Sequence, residues 1–519
     1  MKSEITPEIK HTKPADKFYT KFAVILAALG GFISQYYSYI YNYNYAYRDA
    51  IYRMEAARRF FDSITPGIYN QLGTVWLPIP NLILMPLASI DYLWQTGLAA
   101  SIINLPAFVI SCLVIFLIIK QITQDPAATW FGFLIFVFNY NILYFQTTAM
   151  TEQLYLTFMI CSLYYLMLWS YENKRNFLLY SSIFVSLGIG TRYDAWPVAI
   201  VSILLVLIIC IVNKDKPVKH FLLIGTLPIL FIALWFLYNW LRYGDALEFS
   251  RGQYSTLHQL KYYEERGRLL TKNNLWLSAK VYFSSILLYS GLINTIIGFA
   301  GLIVYSIKEK FKLRSLLLYI LWIALPTTLI LLYKGQLIIE LPNSEPPGYF
   351  NSRYGLYIFP AIAIFSGLAA SYLLNLKFKK TILLLLALVF VYQQYLFFDD
   401  FPVNLPAIAE VKASSNQISE NLSFYLKNNY KGGKILYDNI IFALHPWTGI
   451  NLVDRITFNS FIVGAEAMKT PSQYVEWVLV YKEANNDQVY DAVKDNPDFL
   501  NNFELKFSEY GVEAYEKKH

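Results

Sequence analysis

The first 400 residues carry apolar runs, most of about 18 to 25 residues and so long enough to cross the hydrocarbon core of a bilayer, with a short one ending at Gly190. A chain patterned this way folds in lipid or not at all. Composition agrees: only 15% of the 519 residues are charged, against about a quarter in a soluble domain. The runs lie near 22–40, 97–120, 127–145, 152–169, 177–190, 196–212, 221–241, 282–307, 316–333, 356–374 and 381–398. They predict an all-α polytopic membrane protein of about eleven transmembrane helices over residues 1–400. The first run lacks a small-residue cleavage site and reads as a retained helix. From 401 to 519 polar residues dominate. Strand-like runs at 434–437, 477–481 and 503–507, with helical stretches at 415–428 and 488–495, predict a small soluble α/β domain.

The loops sort by charge. Lys120, Lys174–Arg175, Lys214–Lys219, Lys308–Arg314 and Lys377–Lys380, with the Lys-containing N-terminus, form short basic connectors expected on the cytoplasmic side. The alternate loops, 41–96, 146–151, 191–195, 242–281 and 334–355, are then extracytoplasmic, as is the C-terminal domain. This is the topology of a multi-pass protein of the plasma (cytoplasmic) membrane. The net charge of +7 belongs to this pattern, so no nucleic-acid partner is expected. Cys112, Cys161 and Cys210 all fall in apolar runs and read as small buried hydrophobes; the five histidines show no metal-ligand spacing.

The alternate loops hold the unusual chemistry. Loop 41–96 is too long for a connector. Within 46–64, Ala50, Met54, Ala57 and Phe61 recur at helical spacing, opposite Arg48, Tyr52, Glu55, Arg59 and Asp62, which predicts an amphipathic helix in the membrane interface. Asp49–Arg53 and Glu55–Arg59 are also spaced as ordinary surface ion pairs. Glu152 opens the fourth run, where the helix dipole favours an acid; ionisable groups at membrane depth also mark cavities and function. Arg192 and Asp194 stand in Gly190-Thr191-Arg192-Tyr193-Asp194, and Arg353 in Asn351-Ser352-Arg353-Tyr354. Guanidinium groups grip phosphate oxygens through paired hydrogen bonds. Acids and arginines grouped at one membrane face suggest transfer from a phosphate-linked lipid. A carboxylate would act as base, and arginines, with or without a divalent metal, would steady the leaving phosphate.

The run Tyr47-Arg48-Asp49-Ala50, Glu55-Ala56-Ala57-Arg58-Arg59 and Asp62-Ser63-Ile64-Thr65-Pro66-Gly67, continuing into Gln71-Leu72-Gly73-Thr74-Val75-Trp76-Leu77-Pro78-Ile79-Pro80-Asn81, resembles the first outer loop of GT-C fold glycosyltransferases. It is similar to prokaryotic relatives of the dolichyl-phosphate-mannose–protein mannosyltransferases and of the aminoarabinose transferases. It departs from them in having Ala50 beside Asp49 and Asn81 where many relatives have His. The resemblance implies a polyprenyl-phosphate-sugar donor, inversion at the anomeric carbon, Asp49 as catalytic base and Glu152 as a second acid that helps bind metal or acceptor. Arg192, Arg353 and Arg58 become candidates for the donor phosphate. Glu55, Trp76, Asn81, Tyr193, Asp194 and Tyr354 become candidates for substrate contact. Asp49 and Glu152 are the candidate ligands for a divalent cation, Mg or Mn. The acceptor is a protein, lipid or glycan, and membrane lipids surround the chain. Two other readings share these features: a transporter or flippase for a lipid-linked saccharide, and an oligosaccharide ligase. A transporter commonly shows paired broken helices at the midplane, which this sequence lacks.

Overall fold

The computed structural model describes residues 14–398 and 416–518, leaving aside 343, 345, 346, 459 and 485. The basic segment before the first helix and the boundary expected at 400/401 lie outside the described residues. Two compact units emerge. Of the described residues, one comprises 14–37, 73–80 and 103–398; the other comprises 38–72, 81–102 and those from 416 on.

The first unit is helical. Among the described residues of the chain, nine helices are long and apolar enough to cross a membrane, among them Leu98–Thr123, Glu152–Glu172, Pro217–Tyr243 and Ser352–Leu374. Exposed Leu384, Leu385, Leu388 and Val391 on the Lys379–Phe397 helix form an apolar flank suited to lipid. The protein is a multi-pass membrane protein.

Two expected runs are broken, and the short one expected at 177–190 is a short helix. The run at 127–145 divides into helices Pro126–Val137 and Tyr140–Phe145. Asp125 caps the first by accepting from the backbone N–H of Ala127 at 2.8 Å, and Asn139 caps the second by accepting from Ile142 at 3.1 Å. The Arg175–Ile189 helix has 15 residues, about 22 Å of rise against a core of about 30 Å. The run expected at 282–307 is two helices, Leu275–Ser290 and Leu292–Glu309. Gly291 sits between them at φ +79°, a conformation that disfavours any residue with a Cβ. A Cβ there would also strike the Gln393 side chain, whose Oε1 instead accepts from the Ile293 N–H at 3.1 Å.

The second unit holds a five-stranded sheet: β1 (Ile435–Tyr437), β2 (Arg455–Thr457), β3 (Trp477–Tyr481), β4 (Phe503–Glu509) and β5 (Val512–Lys517). Their order is β2-β1-β3-β5-β4, with β2, β1 and β3 parallel and β5 antiparallel to both its neighbours. Both faces are covered. Trp477 and Leu479 of β3 pack with Leu422, Leu426 and Phe442, while Val478 and Val480 pack with Ala467, Val489 and Val493. A central strand buried on both sides reads as an unbroken apolar run, as Trp-Val-Leu-Val-Tyr does.

This sheet packs with the first long loop, where the helix expected within 46–64 forms. It spans Arg48–Arg58, and its polar side meets protein. Glu55, 2% exposed, receives Nη1 of Arg455 at 2.6 Å, while Arg455 also donates to the carbonyls of Leu444 and Ile450. Asp62 accepts from the backbone N–H groups of Leu452 and Val453 at 3.0 and 2.9 Å. The Tyr52 hydroxyl donates to the carbonyl of Asn439 at 2.7 Å. The polar stripe that reads as water-facing is bonded to chain almost 400 positions downstream.

Beside Arg455 lies buried His445, stacked on Trp447 at 5.1 Å. Burial, with help from the Arg455 charge, pushes its imidazole down to about 4 from the ordinary 6.5. The unfolded chain therefore takes up a proton near pH 6.5 that the folded unit refuses until about pH 4. Stability is undiminished by this group above pH 6.5 and falls by up to about 3 kcal/mol as pH drops toward 4. The urea midpoint of the full-length protein in nanodiscs, read by proteolysis within residues 435–517, should drop across that window. His445→Gln should flatten the part of the drop above pH 5.

Candidate active site

In the first unit the sequence places an acid at a helix start and two arginines at loop ends, and the fold joins them. Glu152 opens the Glu152–Glu172 helix and is fully buried. Its Oε1 accepts from Nη1 of Arg192 at 3.2 Å, from Nε of Arg353 at 3.1 Å and from the Tyr357 hydroxyl at 3.3 Å. Arg192 also donates through Nε to Asp194 at 2.8 Å and through Nη1 to Thr151 at 3.0 Å. Its guanidinium lies over the rings of Tyr357 and Tyr354, at 4.8 and 5.6 Å. Charge-assisted bonds of this kind are about twice as strong as neutral ones.

Local structure holds the arginines. The helix ending at Ile189 closes with the N–H groups of Thr191 and Arg192 both donating to the Gly188 carbonyl at 2.9 Å. Tyr193 stacks on Phe249 and donates through its hydroxyl to the Val75 carbonyl at 3.2 Å. Arg353 follows Asn351, which sits in the left-handed region at φ +52° and donates to the Ile338 carbonyl at 3.1 Å. Next to it, the Ser352 carbonyl accepts from the Ser285 hydroxyl at 2.6 Å, and the Ser352 hydroxyl pairs with that of Tyr289 at 2.9 Å.

The fold thus joins Glu152, Arg192, Asp194, Arg353 and Tyr354. Trp76 belongs to the same unit and is half-buried. Asp49, Glu55, Arg58 and Asn81 belong to the second unit. Asp49 is half-buried on the first turn of the Arg48–Arg58 helix. Asn81 is 1% exposed. Glu55 and Arg58, candidates for substrate and donor phosphate, are both buried and bonded within this unit. Glu55 is paired with Arg455. Arg58 binds Asp62 at 3.1 Å, Asp91 at 2.6 Å and the carbonyls of Ala88 and Ser89, with its guanidinium 4.6 Å from the Trp94 ring centre.

No protein-family model matches the sequence, and no curated protein sequence matches it. Solved structures do resemble it. ArnT from Cupriavidus metallidurans bound to undecaprenyl phosphate aligns with a TM-score of 0.59 and 10% identity, over 96% of this chain and 98% of that one. The oligosaccharyltransferase AglB from Archaeoglobus fulgidus, in complex with an inhibitory peptide and a dolichol-phosphate, aligns with a TM-score of 0.54 and 12% identity, over 98% of this chain and 75% of that one. The Archaeoglobus oligosaccharyltransferase in complex with Zn and sulfate gives 0.53 and 14%. The chain has the GT-C fold.

The Zn in one GT-C neighbour raises the question of a metal here. Among the described residues no three His, Cys, Asp or Glu side chains group as a metal site. Oε1 of Glu152, a candidate ligand, accepts from two guanidinium groups and a hydroxyl. Sequence reasoning missed Tyr357 and Thr151. Tyr357 stands at the start of the run expected at 356–374, in the 3-10 helix Ser352–Ile358 that also holds Arg353. Thr151 carried no signal beyond preceding Glu152.

Proposed function

We propose that the protein is a membrane glycosyltransferase that moves a sugar from a polyprenyl-phosphate donor to an extracytoplasmic acceptor with inversion. The observation that carries this is the pair of guanidinium groups, Arg192 and Arg353, held by Glu152 in a chain of GT-C fold. Two neighbours of that fold have a polyprenyl phosphate in their structures, undecaprenyl phosphate in ArnT and a dolichol-phosphate in AglB. Asp49 takes the proton of the acceptor hydroxyl. The acceptor oxygen bonds to the anomeric carbon as the bond from that carbon to the phosphate oxygen breaks. The phosphate leaves with the electron pair, and Arg192 and Arg353 neutralise its charge. Tyr193, Tyr354 and Trp76 supply aromatic and hydroxyl contacts, with Asp194 orienting Arg192. The charge bias of the loops supports a cytoplasmic N-terminus, an extracytoplasmic C-terminal domain and residence in the plasma membrane.

The oligosaccharyltransferase neighbours favour a second reading, transfer of a preassembled glycan. One experiment tests both. Purified protein in nanodiscs is given polyprenyl-phosphate hexoses, or lipid-linked oligosaccharides, with and without Mg²⁺ or Mn²⁺. Consumption of the monosaccharide donor is the expected result, and consumption of the oligosaccharide alone would select the second reading. If neither donor is consumed while the lipid-linked saccharide is moved across the bilayer, the transferase proposal fails in favour of a flippase.

A further inference from the structure

We infer that Glu152 is the counter-ion of the arginine pair rather than a reacting acid, and that its charge limits how tightly the pair holds phosphate. The inference rests on the reading of Arg192 and Arg353 as the clamp for the donor's phosphate. The Glu152 side chain is 0% exposed, whereas each arginine side chain keeps 11% of its surface. The Glu152 carboxylate is therefore the innermost charge of the cluster, and the surface left open belongs to Arg192, Arg353 and Asp194, the last 12% exposed.

Counting charge gives the consequence. Arg192 and Arg353 contribute two positive charges, and Glu152 and Asp194 two negative ones, so these four groups sum to zero before a ligand arrives. The donor is a phosphodiester with one negative charge; the product is a monoester carrying about −1.5 to −2 at neutral pH. An uncompensated pair of arginines would hold the product harder than the donor and slow its departure. With Glu152 ionised, the arginines are kept in place and desolvated in advance, yet the extra charge of the product gains little. Glu152 thus acts on the phosphate through the arginines, as a positioning residue that eases product release.

Glu152→Gln keeps an oxygen able to accept from Arg192, Arg353 and Tyr357 while removing the charge. Binding of undecaprenyl phosphate to the full-length protein in nanodiscs should tighten about tenfold in Glu152→Gln and be lost in Arg353→Gln. The unfolding midpoint of Glu152→Gln should be lowered without the lipid and restored by it, a rescue that a purely packing role would not produce. Unchanged or weaker binding in Glu152→Gln, with loss in Arg353→Gln, overturns the counter-ion role and leaves the clamp standing. Unchanged binding in both Arg192→Gln and Arg353→Gln removes the clamp, and with it this inference. Should Glu152→Gln not be recovered folded, the charge-balanced double variant Glu152→Gln/Arg192→Gln decides. Its recovery supports the counter-ion role, and its failure assigns Glu152 to packing.

Discussion

Asp49→Asn is expected to cut sugar transfer by about 10²–10⁴-fold, the usual contribution of a positioned general base, while leaving the unfolding midpoint nearly unchanged. Asn has the shape of Asp and also suits the first helical turn, so the fold keeps its local support. Other groups on the same helix are poor substitutes. Glu55 is buried against Arg455. Burial pushes the Tyr52 hydroxyl up to about 12, so it stays protonated at neutral pH and cannot serve as the base. Rates of donor consumption in nanodiscs, measured beside the midpoint for both proteins, check the claim. Full activity in a folded Asp49→Asn protein would move the base to another residue and remove the strongest functional link to the first long loop.

The second large effect is on stability. Arg455→Ala should cost about 3–5 kcal/mol, because it leaves the Glu55 carboxylate buried without its main partner. Arg59 stands 3.7 Å from Glu55 with 39% of its side chain exposed, and recovers only part of that. The pair does not owe its value to net attraction, since desolvating two ions offsets most of the Coulomb gain. Replacing both residues, as in Glu55→Leu/Arg455→Met, should therefore restore most of the loss. Urea midpoints for the two single variants and the double variant give the coupling directly. Additive losses would show that the ion pair does not couple the helix Arg48–Arg58 to the strand that begins at Arg455.

Particular residues show what the sequence could and could not reveal. Trp477–Tyr481 was legible as a strand because a run of five apolar residues ending in a polar stretch has few other uses. Val512–Lys517 escaped because Glu513 and Glu516 break the apolar run. Arg455–Thr457 escaped because three residues carry no period. Gly291 gave no warning of a break, since its partner Gln393 is a hundred positions away and only the fold brings them together. Glu152, Arg192, Asp194 and Arg353 could each be picked out as charges at the ends of apolar runs. That Arg192 and Arg353 meet at one oxygen of Glu152 could not. Glu55 and Arg58 show a related limit: a polar stripe on a helix looks the same whether water or protein faces it, and the residue bonded to Glu55 is written 400 positions later.

That separation has a cost during synthesis. Glu55 leaves the ribosome about 400 residues before Arg455 does, an interval of roughly 20–80 s at ordinary elongation rates of about 5–20 residues per second. Through that time the helix Arg48–Arg58 has its acidic and aromatic groups ready but no sheet to receive them, while the membrane helices between are inserted one by one. The earliest long loop of the chain is thus among the last parts to reach its final structure. Such high contact order makes it a place where nascent protein waits exposed, and where chaperones or proteases at the membrane surface would find it first.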